Sequence, residues 1–312
     1  MKAAVVSCFG KPPRYDDVPE PAAASGPGTH EMVVNVLAAG LHPRVRSQAG
    51  TGEVLPLVPG VDGVGVGRDG QRRYFVQGGG RPGTMAEQTV IDTWRSVPLP
   101  AACNPVKIAA GINPAMSSWL ALRHRADFRA GQDILIFGGA GRSGQMAVQA
   151  ARLLGAGKII AAVRDASEAD ALTAAGAARN VSLDALDLVV EAASDVDIVL
   201  DYMWGEPAAT AMSLMIAARG NRAKPLNWVS AGSAAGATAP VPSAMLRAAG
   251  LRITGSGRGA VGTEKILAEI PEIARCLSSG VLSVDALAVP LADVEQAWTE
   301  SADATRSIVL VP

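Results

Sequence analysis

A strand, a glycine turn and a helix follow one another over residues 134–155, and this feature constrains the fold more than any other. The apolar run Ile134–Phe137 is typical of a buried strand. A helical pattern follows the turn, with Ala147, Ala151 and Leu154 on one face. A strand that turns on glycine into a helix predicts the opening of a parallel sheet covered by helices.

The turn carries the spacing G-x-G-x-x-G at Gly139, Gly141 and Gly144. In such turns one glycine allows the tight turn, one lets the backbone approach a pyrophosphate, and the last lets the helix pack on the strand. The helix N-terminus, with Arg142 and Ser143, offers N–H groups and a partial positive charge to phosphates. The chain has 34 glycines, so the spacing alone would be weak evidence and a purely structural turn is the alternative. Its place between strand and helix predicts a dinucleotide site.

The composition is that of a globular enzyme. Of the 312 residues, 18% are charged and 49% hydrophobic, and 28 Lys and Arg nearly balance 29 Asp and Glu. This balance provides no basic surface for nucleic acid. We find no apolar run of the roughly 18–20 residues that a membrane span needs. The N-terminus lacks the pattern of a signal peptide, and three scattered cysteines form no disulfide framework. We therefore expect a cytoplasmic protein without nucleic-acid or membrane partners.

The pattern of predicted secondary structure changes near Pro105. Before it, short apolar runs separated by Pro and Gly clusters predict a β-rich region, with strands at Ala3–Val6, Met32–Leu37 and Gly63–Val66. After it, helical patterns alternate with short strands, which predicts a parallel sheet covered on both faces. These strands are Ile134–Phe137, Lys158–Val163, Ile198–Asp201, Asn227–Ala231 and Leu251–Gly255. A helix at Thr263–Leu277 and a strand at Ser307–Val311 close the chain.

Several segments carry a resemblance that extends over nearly the whole chain. They are Met1–Val5, Ala38–Pro43, Pro59–Gly65, Thr84–Glu87, Met116–Trp119, the glycine turn and Arg306–Leu310. Together they resemble the medium-chain dehydrogenase/reductase superfamily, and specifically its zinc-free quinone oxidoreductase branch. Thr84–Glu87 resembles a strand of that family.

The resemblance implies an α/β protein of two domains. A GroES-like, β-rich catalytic domain would comprise residues 1–112 and 260–312, and a Rossmann domain with a doubly wound parallel sheet would comprise 113–259. The active site would lie in the cleft between them, and the protein would be a homodimer.

The chain departs from the zinc-dependent relatives at their metal ligands. Those enzymes place Cys where His42 or Pro43 stands, and a His-Glu pair where Val61 and Asp62 stand. A catalytic zinc takes three protein ligands, which His42 alone cannot supply. We therefore expect no metal, and an acceptor that is already electron-poor, such as a quinone or an activated alkene.

The second strand of the Rossmann unit should end beside the adenosine ribose. NAD sites place an acidic residue there to bind the 2′-OH, whereas NADP sites supply a cation. Val163 falls at the usually acidic position and Arg164 follows it, so we expect NADPH rather than NADH. Asp165 argues for NADH instead, since it could reach a ribose hydroxyl. The alternative is that Arg164 and Asp165 are both solvated loop charges.

Further cofactor-binding candidates follow the later strands, where open α/β sheets bind ligands. By resemblance, the backbones of Met203, Ala231 and Ser256 would lie near the carboxamide and ribose. Two side chains are further candidates. Ser117 would face the nicotinamide, or it merely starts a helix. Arg306 would reach the pyrophosphate, or it lies on the surface. The cofactor candidates are thus Ser117, Gly139, Gly141, Arg142, Ser143, Gly144, Arg164, Tyr202, Met203, Ser230, Ala231, Gly232, Ser256 and Arg306.

The acceptor site is the least defined. Tyrosine, the proton donor of some relatives that reduce enoyl thioesters, is absent from the loop that begins at His42. His42 could donate the proton instead, or it could merely bond to backbone. Arg44 and Arg46 could attract an anionic acceptor, or form a solvated face.

These observations predict a zinc-independent, NADPH-dependent oxidoreductase that transfers hydride to a quinone or a similar conjugated carbonyl. An enoyl or short-chain ketone reductase of a biosynthetic pathway is an alternative. A non-catalytic NADPH-binding sensor or structural protein is another.

Overall fold

A computed structural model describes the chain except residues 25, 27, 52–53, 79, 140, 165–168, 258 and 302–305. Asp165 therefore lies outside the described residues. The chain divides into two compact units. The first comprises Met1–Asn113 and Thr263–Pro312, and the second comprises Pro114–Gly262.

Both units are built around strands. In chain order they are β1 (Lys2–Val5), β2 (Arg14–Asp17), β3 (Glu31–Leu41), β4 (Asp62–Gly67), β5 (Arg72–Val76), β6 (Gln88–Asp92), β7 (Ser96–Pro98), β8 (Ile134–Phe137), β9 (Ile159–Val163), β10 (Arg179–Ser182), β11 (Ile198–Asp201), β12 (Leu226–Ser230), β13 (Leu251–Gly255), β14 (Ala286–Pro290) and β15 (Ser307–Val311).

The helices are α1 (Pro43–Thr51), α2 (Pro105–His124), α3 (Arg142–Leu153), α4 (Ala169–Ala175), α5 (Leu186–Ala193), α6 (Gly205–Ala218), α7 (Ser243–Ala248), α8 (Thr263–Ser279) and α9 (Val294–Glu300). Prolines lie inside α2 and α8, at Pro114 and Pro271. Within the described part of the chain, none of the helices is long and apolar enough to cross a membrane.

The first unit is built on a largely antiparallel sheet. Its strand order is β14-β15-β3-β4-β5-β7, and β6 pairs with β3 outside this path. The strand β3 is 11 residues long, and it pairs with β6 over Glu31–Asn35, with β4 over Val34–Ala38 and with β15 over Ala39–Leu41. The returning C-terminal strand β15 thus completes a sheet that the first hundred residues begin.

The second unit is a parallel sheet in the order β10-β9-β8-β11-β12-β13. Because β8 pairs with β9 on one side and β11 on the other, the strand order reverses there. Ile134 and Ile136 pack with Ala147 and Ala151 of α3 in one buried cluster, whereas Phe137 packs in another with Trp228. The apolar run of β8 is therefore buried on both faces, as parallel strands are.

The structure contains strands that the sequence analysis did not predict, among them β2, β5, β7 and β14. Two further differences, at β10 and at Thr84–Glu87, have a clear physical reason. The edge strand β10 was not predicted, because Val181 is its only fully buried residue and the pattern is mostly polar. The strand expected at Thr84–Glu87 begins instead at Gln88. Ala86 makes only an isolated bridge, with Ala3.

Candidate functional site

The glycine turn is fixed to the neighbouring strand of the parallel sheet. Gly138 has φ of +92°, in the left-handed region that glycine adopts without strain. The backbone N–H groups of Gly138 and Gly139 both donate to the carbonyl oxygen of Ala162 on β9, each at 3.0 Å. The turn therefore stands at the edge of the sheet where β8 and β9 end.

The next two glycines differ in what surrounds them. A Cβ atom on Gly144 would lie 2.5 Å from the backbone of Gly139, so only glycine lets α3 approach the turn this closely. A Cβ atom on Gly141 would meet nothing within 4 Å, and its backbone (φ −70°, ψ 166°) suits any residue. Glycine at 141 is thus not required for folding, and the open space beside it fits the close approach of a ligand.

The helix α3 begins directly after Gly141 with Arg142 and Ser143, both half-buried. Burial lowers the pKa of the Arg142 guanidinium below its usual value. A helix start that combines N–H groups, a cation and open space beside a glycine fits the pyrophosphate of a dinucleotide.

The end of β9 lies beside the same turn. A Cβ atom on Gly139 would lie 3.5 Å from Cγ1 of Val163, and Val163 is buried. Arg164 follows directly and is exposed. The described residues thus put an apolar side chain at the usually acidic position and a cation next to it, while Asp165 lies outside them.

The loop after β11 is organised by Asp201, a buried carboxylate that the sequence analysis did not single out. Its Oδ1 accepts hydrogen bonds from the N–H groups of Met203 and Trp204, both at 2.8 Å. Its Oδ2 accepts one from Nε1 of Trp228, also at 2.8 Å. Burial raises the pKa of Asp201, although these bonds oppose the shift. The available signal was an Asp at the end of an apolar strand, where Asx turns form.

Trp204 has an unusual backbone conformation within this loop. Its φ of +52° with ψ of −161° lies in a region that residues other than glycine rarely adopt. The bond from its N–H to Asp201 holds it there. Its side chain is partly buried and packs against the hydrophobic core of the second unit.

Tyr202 and Ser117, both predicted to bind the cofactor, contact each other. The Tyr202 hydroxyl lies 2.9 Å from Oγ of Ser117. Burial raises the pKa of Tyr202 to about 12, so the phenol stays neutral across the working range of most proteins. Ser117 lies in the interior of α2, which begins at Pro105, and the alternative that it starts a helix is wrong.

The loops after β11, β12 and β13 are joined by backbone hydrogen bonds. The N–H groups of Ala231 and Gly232 donate to the carbonyl oxygen of Asp201 at 2.7 and 3.1 Å. The N–H of Ser256 donates to the carbonyl oxygen of Ser230 at 2.8 Å. The candidates at 202–203, 230–232 and 256 therefore lie together at the carboxyl edge of the parallel sheet.

Arg306 belongs to the first unit and is exposed. Its Nε lies 2.9 Å from Oδ1 of Asp285, and a second nitrogen donates to the carbonyl oxygen of Ala286 at 3.1 Å. Arg306 therefore lies on the surface of the first unit, as one of the two alternatives had it. Its contact with a pyrophosphate stays a prediction.

The first unit contains a buried polar cluster around Asp62. The side chain of Asp62 is 1% exposed, and its Oδ2 accepts hydrogen bonds from the Tyr74 hydroxyl at 3.0 Å and from Nδ2 of Asn113 at 2.8 Å. Its Oδ1 lies 3.4 Å from Nε2 of His42. Burial alone would raise the pKa of Asp62, but the charge of His42 and the three hydrogen bonds outweigh it and lower the pKa.

Nε2 of His42 thus contacts a carboxylate. The alternative that His42 merely bonds to backbone does not describe this nitrogen. Arg44 is half-buried, and its Nη2 has no hydrogen-bond partner among the described residues. Arg46 donates to the carbonyl oxygen of Trp298 and, at 2.6 Å, to Oγ of Ser301. The alternative that Arg44 and Arg46 form a solvated face is therefore wrong, since both are partly buried.

A metal site would require a group of at least three His, Cys, Asp or Glu side chains. The described residues contain no such group.

The chain is similar in sequence and in structure to known proteins. No family model matches the chain. The chain is 26% identical, over 368 aligned positions covering 100% of both proteins, to the probable NADPH-dependent quinone reductase tdiC of Emericella nidulans. The quinone oxidoreductase of Thermus thermophilus, solved also as a complex with NADPH, matches with a TM-score of 0.82 and 26% identity over 100% of both chains.

The fold is shared more widely. Escherichia coli quinone oxidoreductase, solved as a complex with NADPH, matches with a TM-score of 0.82 and 22% identity over 100% of both chains. The predicted α/β class, with a β-rich part and a Rossmann sheet, is confirmed. The resemblance of the chain to quinone oxidoreductases is confirmed by the two matches that are 26% identical over its whole length. Independence from zinc stays a prediction.

Proposed function

We propose that this protein is an NADPH-dependent oxidoreductase that reduces a quinone or a similar conjugated carbonyl without a metal. The observation that carries the proposal is the glycine turn, with open space beside Gly141 and close packing at Gly144. The chain that carries this turn matches quinone reductases along its whole length.

The cofactor would be held by the residues gathered at the carboxyl edge of the parallel sheet. Gly141, Arg142 and Ser143 would hold the pyrophosphate, and Arg164 would pair with the 2′-phosphate. Ser117 and Tyr202 would contact the nicotinamide together with the backbones at Met203, Ala231 and Ser256. NADPH, when bound, supplies the hydride.

The acceptor needs a proton as well as a hydride. His42 is the candidate donor, since imidazole exchanges protons near neutral pH. A buried carboxylate lies beside the ring, since Oδ1 of Asp62 is 3.4 Å from Nε2 of His42. The chain's own contribution to the chemistry is then to bind and orient the acceptor and to move this one proton.

The test is NADPH oxidation by the purified protein with a panel of ortho- and para-quinones, enones and enoyl-CoA esters. Faster turnover of quinones than of the other acceptors supports the proposal. Preference for enoyl thioesters would favour the biosynthetic reductase. Tight NADPH binding without turnover of any acceptor would favour a sensor or structural role.

In this proposal the first unit is the catalytic domain and the second is the cofactor domain. We propose further that the protein works as a cytoplasmic homodimer. Light scattering of the purified chain measures the oligomeric state, and a monomer mass at micromolar concentration would contradict the dimer.

A further inference from the structure

The two oxygens of the Asp62 carboxylate are used differently. Oδ2 accepts hydrogen bonds from both Tyr74 and Asn113, whereas Oδ1 faces Nε2 of His42. The backbone of Asp62 is also held, because Oγ1 of Thr84 donates to its carbonyl oxygen at 2.7 Å. The carboxylate therefore cannot rotate without breaking several bonds, and Oδ1 is held toward the imidazole.

The charged groups around the imidazole are defined as well. Asp62 is ionised, since its pKa is lowered, and burial together with Asp62 raises the pKa of Tyr74 well above its usual value, which keeps the phenol neutral. The cation of Arg44 acts on Tyr74 in the opposite sense. His42 thus faces one negative charge, with Arg44 as the further cation of this cluster.

A nitrogen that faces a carboxylate carries the proton of a neutral imidazole, because N–H can donate there and a bare nitrogen would be repelled. This assigns the proton of neutral His42 to Nε2. In the charged ring the second proton is then on Nδ1. That atom is buried and has no hydrogen-bond partner among the described residues.

We propose that Asp62 is a positioning residue that fixes the tautomer of His42 and makes Nδ1 the atom that donates the proton. The role in the reaction rests on the proposed function. After the acceptor has taken the hydride, its anionic oxygen takes the proton from Nδ1. The Nδ1–H bond breaks, an O–H bond forms, and neutral His42 later regains a proton from water.

Nitrogen-15 NMR tests the geometry on the whole protein without cofactor. The chain has three histidines, so the His42→Gln variant identifies the His42 signals. At a pH where His42 is neutral, the expected result is a protonated Nε2 and an unprotonated Nδ1. A neutral ring with its proton on Nδ1 would overturn the proposal.

Two variants separate positioning from general damage to the cluster. Asp62→Asn should give a mixture of tautomers, because the amide can accept or donate toward the ring. Tyr74→Phe is the matched control, since it removes a bond to Oδ2 and leaves Oδ1 facing His42; it should keep the native tautomer. Mixed tautomers in Tyr74→Phe and a native tautomer in Asp62→Asn would contradict the role of Asp62.

Kinetics then tests the step itself. Asp62→Asn should lower kcat for quinone reduction by roughly 10²-fold with little change in the KM for NADPH, within the usual range for general acid catalysis. An unchanged kcat would overturn the positioning role. If no acceptor is reduced even by the native protein, the proposed function fails, while the tautomer measurement still decides the geometry.

Discussion

The hydroxyl of Tyr74 donates a 3.0 Å hydrogen bond to Oδ2 of Asp62, and the two side chains are 0% and 1% exposed. An ionised carboxylate at this depth depends on its donors, since burial by itself favours the neutral acid. The net pKa of Asp62 is nevertheless lowered from its ordinary value of 3.8. The cluster therefore stabilises the fold more when Asp62 is charged.

The pH dependence of stability follows from this direction. A carboxyl whose pKa is lower in the folded state contributes stability above its ordinary pKa and loses it as the pH falls through the folded value. We expect the free energy of unfolding to decline below about pH 4, and Asp62→Asn to lack that part of the decline. Urea unfolding between pH 2 and 6 measures both. Asp16→Asn, which changes an exposed carboxylate of β2, is the control and should follow the native curve. An identical decline in Asp62→Asn would contradict the prediction.

Gly141→Val should abolish binding of NADPH while the protein stays folded. A Cβ atom there meets no protein atom within 4 Å, and the valine side chain would occupy the place proposed for the phosphate. Fluorescence titration measures binding, and thermal unfolding measures stability.

Gly144→Ala is the matched variant, because its Cβ would lie 2.5 Å from the backbone of Gly139. It should lose stability by about 1–3 kcal/mol, the usual cost of overpacking. Native binding by Gly141→Val, or equal loss of stability in both variants, would show that the glycine turn does not hold the cofactor as proposed.

Arg164→Ala should weaken NADPH binding by about 1.5–3 kcal/mol and leave NADH binding little changed, because one charged hydrogen bond to the 2′-phosphate is lost. Titration of both cofactors measures the difference. Arg179→Ala removes another exposed arginine of the same unit, one paired with Glu191 at 3.1 Å, and should change neither affinity. Equal losses for both cofactors in Arg164→Ala, or tighter NADH binding by the native protein, would refute the choice of NADPH.

The purified protein should contain no stoichiometric zinc, and a chelator should leave its NADPH-linked quinone reduction unchanged. The physical reason is that the sequence offers His42 and Asp62 where a catalytic zinc needs three ligands and an open position. Elemental analysis measures the metal content. One tightly bound zinc per chain, with activity lost on its removal, would overturn the metal-free mechanism.

Local patterns were sufficient to predict much of the second unit. The strand β8, the turn and α3 are encoded within 20 consecutive residues, from Ile134 to Leu153. Because parallel strands buried on both faces are continuous apolar runs, β9 and β11 were also visible. The strands β12 and β13 were predicted as well, although both contain polar residues and only Leu251 of β13 is buried. The edge strand β10 was not, since Val181 alone is fully buried and its existence depends on pairing with β9.

The sequence by itself determined the glycine turn and the neighbouring Val163 and Arg164. It also determined that His42 and Asp62 stand where the zinc-dependent enzymes carry metal ligands. These features depend on residue type and spacing along a short stretch of chain.

Only the tertiary structure decided which distant side chains meet. Ser117 and Tyr202 are 85 residues apart in the sequence, and Asn113 reaches Asp62 across 51. The carboxylate of Asp201 becomes the centre of its loop only because Trp228 lies on the adjacent strand. Such contacts are set by strand register and by the burial of polar groups that must then find partners, and neither is encoded in local periodicity.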